Sequence, residues 1–300
     1  MASILASMIP SEVMNQFVVT KLNKILVAGD AVARDYQTDF VKAGDSYKIP
    51  AVSGTSVSNY TLNQTITYGA IGATSVVLSV DQMKYFSYSV DKVDSKMAAV
   101  NAVNYIANQA AYSLAEAADT YLLQTVLAGG TTSAGSGARA LGISGTSITI
   151  VPTQAEVTGD LSAAVPVLKY LGRLSQRLDE EDVPQSDRML IIPPWMQSYL
   201  VAAKILETVT DSNGNFDNGR IGRAYGFDIR VSTNLARATA AADSQVIALH
   251  RSACQYVDAV IDSEVRDLET TFGTGVRGLM CYGATLVRPE AVCVGSVTQG

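Results

Sequence analysis

Between positions 49 and 80 the chain carries not one charged residue. Within that stretch, 56–68 and 73–80 are rich in Thr, Val, Tyr and Ile, residues that fit a pleated strand. Gly69-Ala70-Ile71-Gly72 lies between them and supplies the glycines a hairpin turn needs. The pattern predicts a long β-hairpin bearing Val57, Tyr60, Leu62, Ile66, Tyr68, Ile71, Val76 and Leu78. Exposed to water, an uncharged hairpin would pair edge to edge with others, because natural edges are protected by Lys, Pro or bulges. Two arrangements cover it: a strand pair under the rest of its own domain, or an arm lying on a neighbouring subunit.

Composition extends the argument. Only 17% of the 300 residues are charged while 48% are hydrophobic, against roughly 25% charged in ordinary soluble domains. That excludes a disordered chain. No apolar run approaches the ~18–20 residues of a spanning helix, and no Lys or Arg precedes Lys21 to make a signal peptide. Surface buried against other copies is what remains. The net charge of -6 argues against a basic nucleic-acid face. Cys254, Cys281 and Cys293 form neither a disulfide framework nor a zinc motif, which points to a reducing compartment and core thiols. A single histidine, His250, excludes any site needing two imidazoles.

Along the chain, residues 1–44 read as an arm with a short helix from Pro10-Ser11-Glu12. Tyr47-Lys48-Ile49-Pro50 is a short extended piece closed by proline, and 82–90 is a strand. The clearest element is a long helix over 96–128. Val100, Val103, Ala107, Ala110, Leu114, Ala117 and Tyr121 recur at three- and four-residue steps and share one stripe. Gly129-Gly130 is expected to stop it. A Gly/Ser/Thr loop over 131–145 carries no phosphate-binding signature. Then follow a helix over 161–178, a strand over 188–192 and a helix from Trp195 after Pro193-Pro194. A loop over 211–222, a strand over 227–232, a helix over 249–261 and strands over 276–282 and 285–294 complete the chain.

Candidate chemistry is sparse. Asp179, Glu180, Glu181 and Asp182 can be read as carboxylates for acid–base work or a hard metal, or as a solvated helix terminus, the commoner case. Asp211-Ser212-Asn213-Gly214-Asn215 begins like a calcium loop, but Phe216 stands at its glycine position and Gly222 at its closing glutamate. His250 has Asp243, Ser244 and Ser252 nearby but no nucleophile elbow, so it reads as structural. No catalytic, cofactor or metal residue emerges.

The order of elements resembles the major capsid protein of tailed bacteriophages. Ala43-Gly44-Asp45-Ser46-Tyr47-Lys48-Ile49-Pro50 is similar to that family's Gly-Asp-x-x-x-Ile-Pro lead into its hairpin. Val80-Asp81-Gln82 with Tyr85 and Val90-Asp91 resembles its return strand, and Arg188-Met189-Leu190-Ile191-Ile192-Pro193-Pro194 its strand–proline step. Tyr282-Gly283-Ala284 with Val287-Arg288-Pro289-Glu290-Ala291 resembles its closing strand.

The resemblance implies an α+β Hong-Kong-phage-type capsid fold. Its expected parts are an N-terminal arm (1–45), an extended hairpin loop with flanking strands (46–90), a peripheral domain with the spine helix (91–152 and 262–286) and an axial α/β domain (153–261 and 287–300). It implies hexamers and pentamers in an icosahedral shell that encloses double-stranded DNA without sequence-specific binding, assembled in the host cytoplasm into a virion. The implied partners are a portal, a scaffolding protein and a decoration or cement protein. Because the chain starts almost at the arm, scaffolding is expected to be separate or the N-terminus already complete. Cross-linking through a hairpin lysine is not expected, since 49–80 has none. Arm and hairpin are expected to bury little against their own chain. Alternatives are an encapsulin-like nanocompartment shell and a metal-dependent enzyme built on Asp179–Asp182.

Overall fold

Val246, Ile247, Ala248 and Leu249 form an unbroken apolar run, the pattern of a strand covered on both faces. In the computed structural model they occupy the middle of an eight-stranded mixed sheet. The structure describes residues 26–36, 46–52, 57, 59–65, 73–92, 102–132, 140–141, 148–151, 165–202, 220–235, 244–269 and 271–299. The strands are β1 (Ser46–Val52), β2 (Ala73–Ser79), β3 (Gln82–Asp91), β4 (Ala140–Leu141), β5 (Ile148–Val151), β6 (Val165–Pro166) and β7 (Arg188–Ile192). They continue as β8 (Arg220–Ala224), β9 (Phe227–Val231), β10 (Ser244–His250), β11 (Cys254–Asp267), β12 (Gly273–Leu286) and β13 (Val292–Gln299). The helices are α1 (Ala28–Ala31), α2 (Ala102–Thr132), α3 (Val167–Glu180) and α4 (Pro194–Ala202). The fold is α+β, as the sequence predicts.

The large sheet runs β6-β5-β13-β10-β7-β9-β8, with β4 beside β13. β10 pairs antiparallel with both β13 and β7, whereas β7–β9 and β13–β5 are parallel. α3 lies against β5, β6 and β13. Its Val167, Tyr170, Leu171, Leu174 and Leu178 follow helical steps and are buried, so one face of the helix completes the core. A second sheet, β11-β12-β3, is entirely antiparallel. α2 lies across it, with the Tyr121 ring edge-on to Tyr282 at 5.3 Å. β1 and β2 form a separate two-stranded sheet.

Several expectations are corrected. β2 pairs not with 56–68 but with β1, in register from Ser46↔Ser79 to Val52↔Ala73. Burial decides this: Ile49 and Leu78 fall on one face of the β1–β2 pair and are 7% and 0% exposed. The expected Pro50 boundary also fails, because β1 continues through it to Val52; proline is tolerated where a strand has a free edge. Residues 57 and 59–65 form no strand, and Asn63 adopts φ 66° beside a Thr61–Gln64 turn. The glycine turn at 69–72 lies outside the described residues, as do the helix from Pro10 and most of the loop at 211–222.

The helix expected over 249–261 is instead the end of β10, a 3-10 turn at Arg251–Ala253 and the first part of β11. Cys254 and Tyr256 join the main core while Val257 joins a second cluster. A strand buried on both faces loses its alternation, and the apolar residues then mimic helical steps. Gly129-Gly130 does not end α2, which runs on to Thr132. A methyl group at Gly129 would run into the Leu286 side chain, so the glycine serves close approach between α2 and β12. Of the two closing strands, the first runs on to Leu286, past its expected end at 282, and the second begins at Val292 rather than at 285; the 3-10 turn Pro289–Ala291 separates them, where proline interrupts the ladder.

Candidate assembly surface

The base of the charge-free segment is fixed to its own chain. Ile49, Leu78, Val80, Val257 and Cys281 form a buried cluster, flanked by half-buried Tyr36 and Val287. Gly283 on β12 allows this contact, because a Cβ there would collide with the Ser79 carbonyl oxygen. Thr285 Oγ1 donates to Val77 O at 3.2 Å across the same seam. Leu78, read from sequence as part of an intersubunit surface, is therefore wholly buried within its own subunit, and Val76 is half-buried.

Beyond that base the chain leaves the body. Val57 is 98% exposed, Leu62 89% and Tyr60 65%. The Thr61 amide and hydroxyl both approach Gln64 Oε1, at 3.0 and 3.1 Å, so a local turn presents these side chains. Ile66, Tyr68 and Ile71 lie outside the described residues. Further apolar surface sits on the three-stranded sheet. Tyr88, Val276 and Val265 stand opposite one another across β3, β12 and β11, with Val265 and Tyr88 exposed. Phe272, at the β11–β12 turn, is 87% exposed.

The arm behaves differently from expectation over 26–36. Val27, Ala28, Ala31, Val32 and Ala33 are buried in their own subunit. Ala33 forms a parallel bridge with Gln255, Arg34 lies over the Tyr256 ring at 5.0 Å, and Tyr36 meets Tyr47 at 4.7 Å. Asp119 anchors this segment. Its Oδ1 accepts from Val27 N at 3.1 Å and Ala28 N at 2.8 Å, and its Oδ2 from Asn234 Nδ2 at 2.8 Å. The sequence reading missed Asp119, although only Glu116 and Asp119 carry charge in α2. A carboxylate one turn before the core positions Leu122 and Leu123 was the available signal.

Of the expected α2 stripe, Ala110 is buried, while Leu114, Ala117 and Tyr121 are half-buried. Ala118, Leu122, Leu123 and Val126 are the fully buried positions in the second half, so the buried face there is rotated from the one read in sequence. Val100 and the side chains of Val103 and Ala107 lie outside the described residues.

The remaining candidates have structural partners. Arg188, 1% exposed, donates to Asp179 Oδ1 at 2.7 Å and to Pro184 O at 2.8 Å. Glu180 accepts from Gln176 Nε2 at 2.8 Å. The acidic run thus ends α3 around a buried guanidinium. No cluster of three or more His, Cys, Asp or Glu side chains suited to a metal occurs among the described residues. An open cleft of about 550 Å³ lies beside this run, lined by Gly172, Ser175, Gln176, Asp179, Glu180 and Tyr225. Burial pushes the Cys254 and Cys293 thiols up to about 12 and raises Cys281 as well, which leaves all three unreactive.

The described residues thus combine a long helix crossing an antiparallel sheet, a broad mixed sheet and an exposed, uncharged segment at 57 and 59–65. The family described as phage capsid protein matches residues 75–295. The chain belongs to that family, a structural and not a catalytic one, and is a self-assembling capsid shell protein. Among solved structures, one from Mycobacterium phage Che8 is 22% identical, with 95% of this chain and 96% of that one covered and a TM-score of 0.71. The capsid structure of cyanophage P-SCSP1u is 18% identical over 96% and 92% of the two chains, with a TM-score of 0.70. The capsid of Ralstonia phage GP4 is 11% identical over 96% and 95%, with a TM-score of 0.66. These likenesses show the Hong-Kong-phage-type capsid fold. Comparison with curated protein sequences finds no match.

Proposed function

We propose that this chain forms the icosahedral head shell of a tailed phage, arranged as hexamers and pentamers around double-stranded DNA. Family membership over residues 75–295 carries the reading. The segment bearing Val57, Tyr60 and Leu62 supplies the contact between subunits, since such exposed apolar side chains have no cover among the described residues. In this reading the expected division (peripheral 91–152 and 262–286, axial 153–261 and 287–300) is redrawn along the sheets: β3 and the start of β11 join α2 and β12 in the peripheral domain, and β4 and β5 join the axial domain of the eight-stranded sheet, α3 and α4. Scaffolding, portal and decoration proteins complete the head as separate partners in the host cytoplasm.

DNA is enclosed rather than gripped: a chain of net charge -6 offers few cations to phosphate. Electron microscopy of the purified, assembled protein tests the reading. Closed shells with sixfold and fivefold capsomers are expected; rings or open sheets that never close would contradict it.

A further inference from the structure

The 3-10 turn Arg251–Ala253 joins the two large sheets, with β10 before it and β11 after it. Three other parts of the chain hang on the same turn. Ala33 N donates to Arg251 O and Cys254 O, both at 3.1 Å, bringing in the arm. Val287 N and Arg288 N donate to Ala253 O at 2.8 and 3.0 Å, bringing in the end of β12. Arg251 N donates to Asp187 O at 3.2 Å, bringing in the lead to β7.

His250, the only histidine of the chain, caps this turn. Its Nδ1 accepts from Ser252 N at 3.2 Å and lies 2.8 Å from Ser252 Oγ. A ring nitrogen that accepts a backbone N–H carries no proton, so the imidazole is neutral with its hydrogen on Nε2. On protonation the serine hydroxyl can rotate to accept, but the Ser252 N–H cannot, and the cap bond is lost. Burial opposes a charge on the ring most strongly; a hydrogen bond with the Ser186 backbone favours it, and charged neighbours act on top. Arg188, opposite His250 in the β10–β7 register, and Arg288 oppose a cation there, while Asp187 favours it.

We propose that His250 is a pH-operated cap on the junction between the eight-stranded and three-stranded sheets. Neutral, it holds the turn; protonated, it releases the turn together with the arm and the end of β12. Burial first, then Arg188 and Arg288, lower the pKa of His250 below its ordinary value of about 6.5. An opened junction restores the ordinary value and so binds more protons. The junction is therefore firm above about pH 6.5 and loosens as pH falls toward the lowered value. The inference concerns the single subunit and stands apart from how shells form.

Amide hydrogen exchange on unassembled full-length subunits, corrected for intrinsic rates, tests it at pH 7.5 and pH 5. Protection of the Ala33, Ser252 and Val287 amides should fall with pH, by at most about tenfold per unit, the limit for uptake of one proton. His250→Asn keeps an acceptor at the cap without titrating and should flatten the response. Equal loss of protection in both proteins, or none in the wild type, would overturn the proposal. NMR titration of the sole imidazole decides the matter if the variant does not fold: a midpoint at or above about 6.5 overturns it, and a lower one supports it.

Discussion

Asp119 on the long helix α2 accepts a hydrogen bond from the Asn234 side-chain amide at 2.8 Å, tying that helix to the loop after β9. The same carboxylate holds the Val27 and Ala28 amides, so the 26–36 segment, the helix and the loop after β9 meet at one buried group. Asp119→Ala would leave those donors without an acceptor. The expected loss is about 1–3 kcal/mol, read as a lower urea midpoint with an unchanged slope. An unchanged midpoint would show that water replaces the carboxylate at no cost.

The seat of the β1–β2 pair is tested at Gly283. Alanine normally suits a strand at least as well as glycine, yet here its methyl group meets the backbone of Ser79 and Val80 rather than a side chain that can swing away. Gly283→Ala should destabilise the subunit by about 1–3 kcal/mol, an overpacking cost. A thermal melt at or above the wild-type midpoint would mean that the seam yields freely.

The buried face of α2 can be read from one pair of variants. Ala110 is 3% exposed, and its neighbour Ala111 faces solvent. Ala110→Leu should cost about 1–3 kcal/mol, whereas Ala111→Leu should stay within about 0.5 kcal/mol of wild type. Equal melting temperatures for the two variants would contradict the packing of this helix described above.

Legibility of the sequence followed the clarity of its periodicity. Arg188–Ile192, bounded by polar residues and a proline pair, was read to the residue as β7. α3 was read less closely: Leu171, Leu174 and Leu178 alternate with charged neighbours, but the helix expected over 161–178 begins only at Val167, because Val165–Pro166 form β6. β11 was not, since Cys254 and Tyr256 bury on one face while Val257 buries on the other. The partner of β2 was misread because pairing is set by what Ile49 and Leu78 reach in space, which adjacency in sequence does not reveal. The apolar character of Val57, Tyr60 and Leu62 was legible as uncovered surface, whereas Leu78, on β2, belongs to a buried cluster.

The central claim is that shells close through the loop carrying Val57, Tyr60 and Leu62. Replacing all three with serine leaves both buried clusters of the subunit intact, because none of the three belongs to them. Sedimentation velocity of purified protein, wild type against triple variant, measures the consequence directly. The wild type should sediment as closed shells, and the variant as folded subunits or capsomers that still melt cooperatively, without the added stability that assembly gives the shell. Shells of normal size and yield from the triple variant would contradict the account.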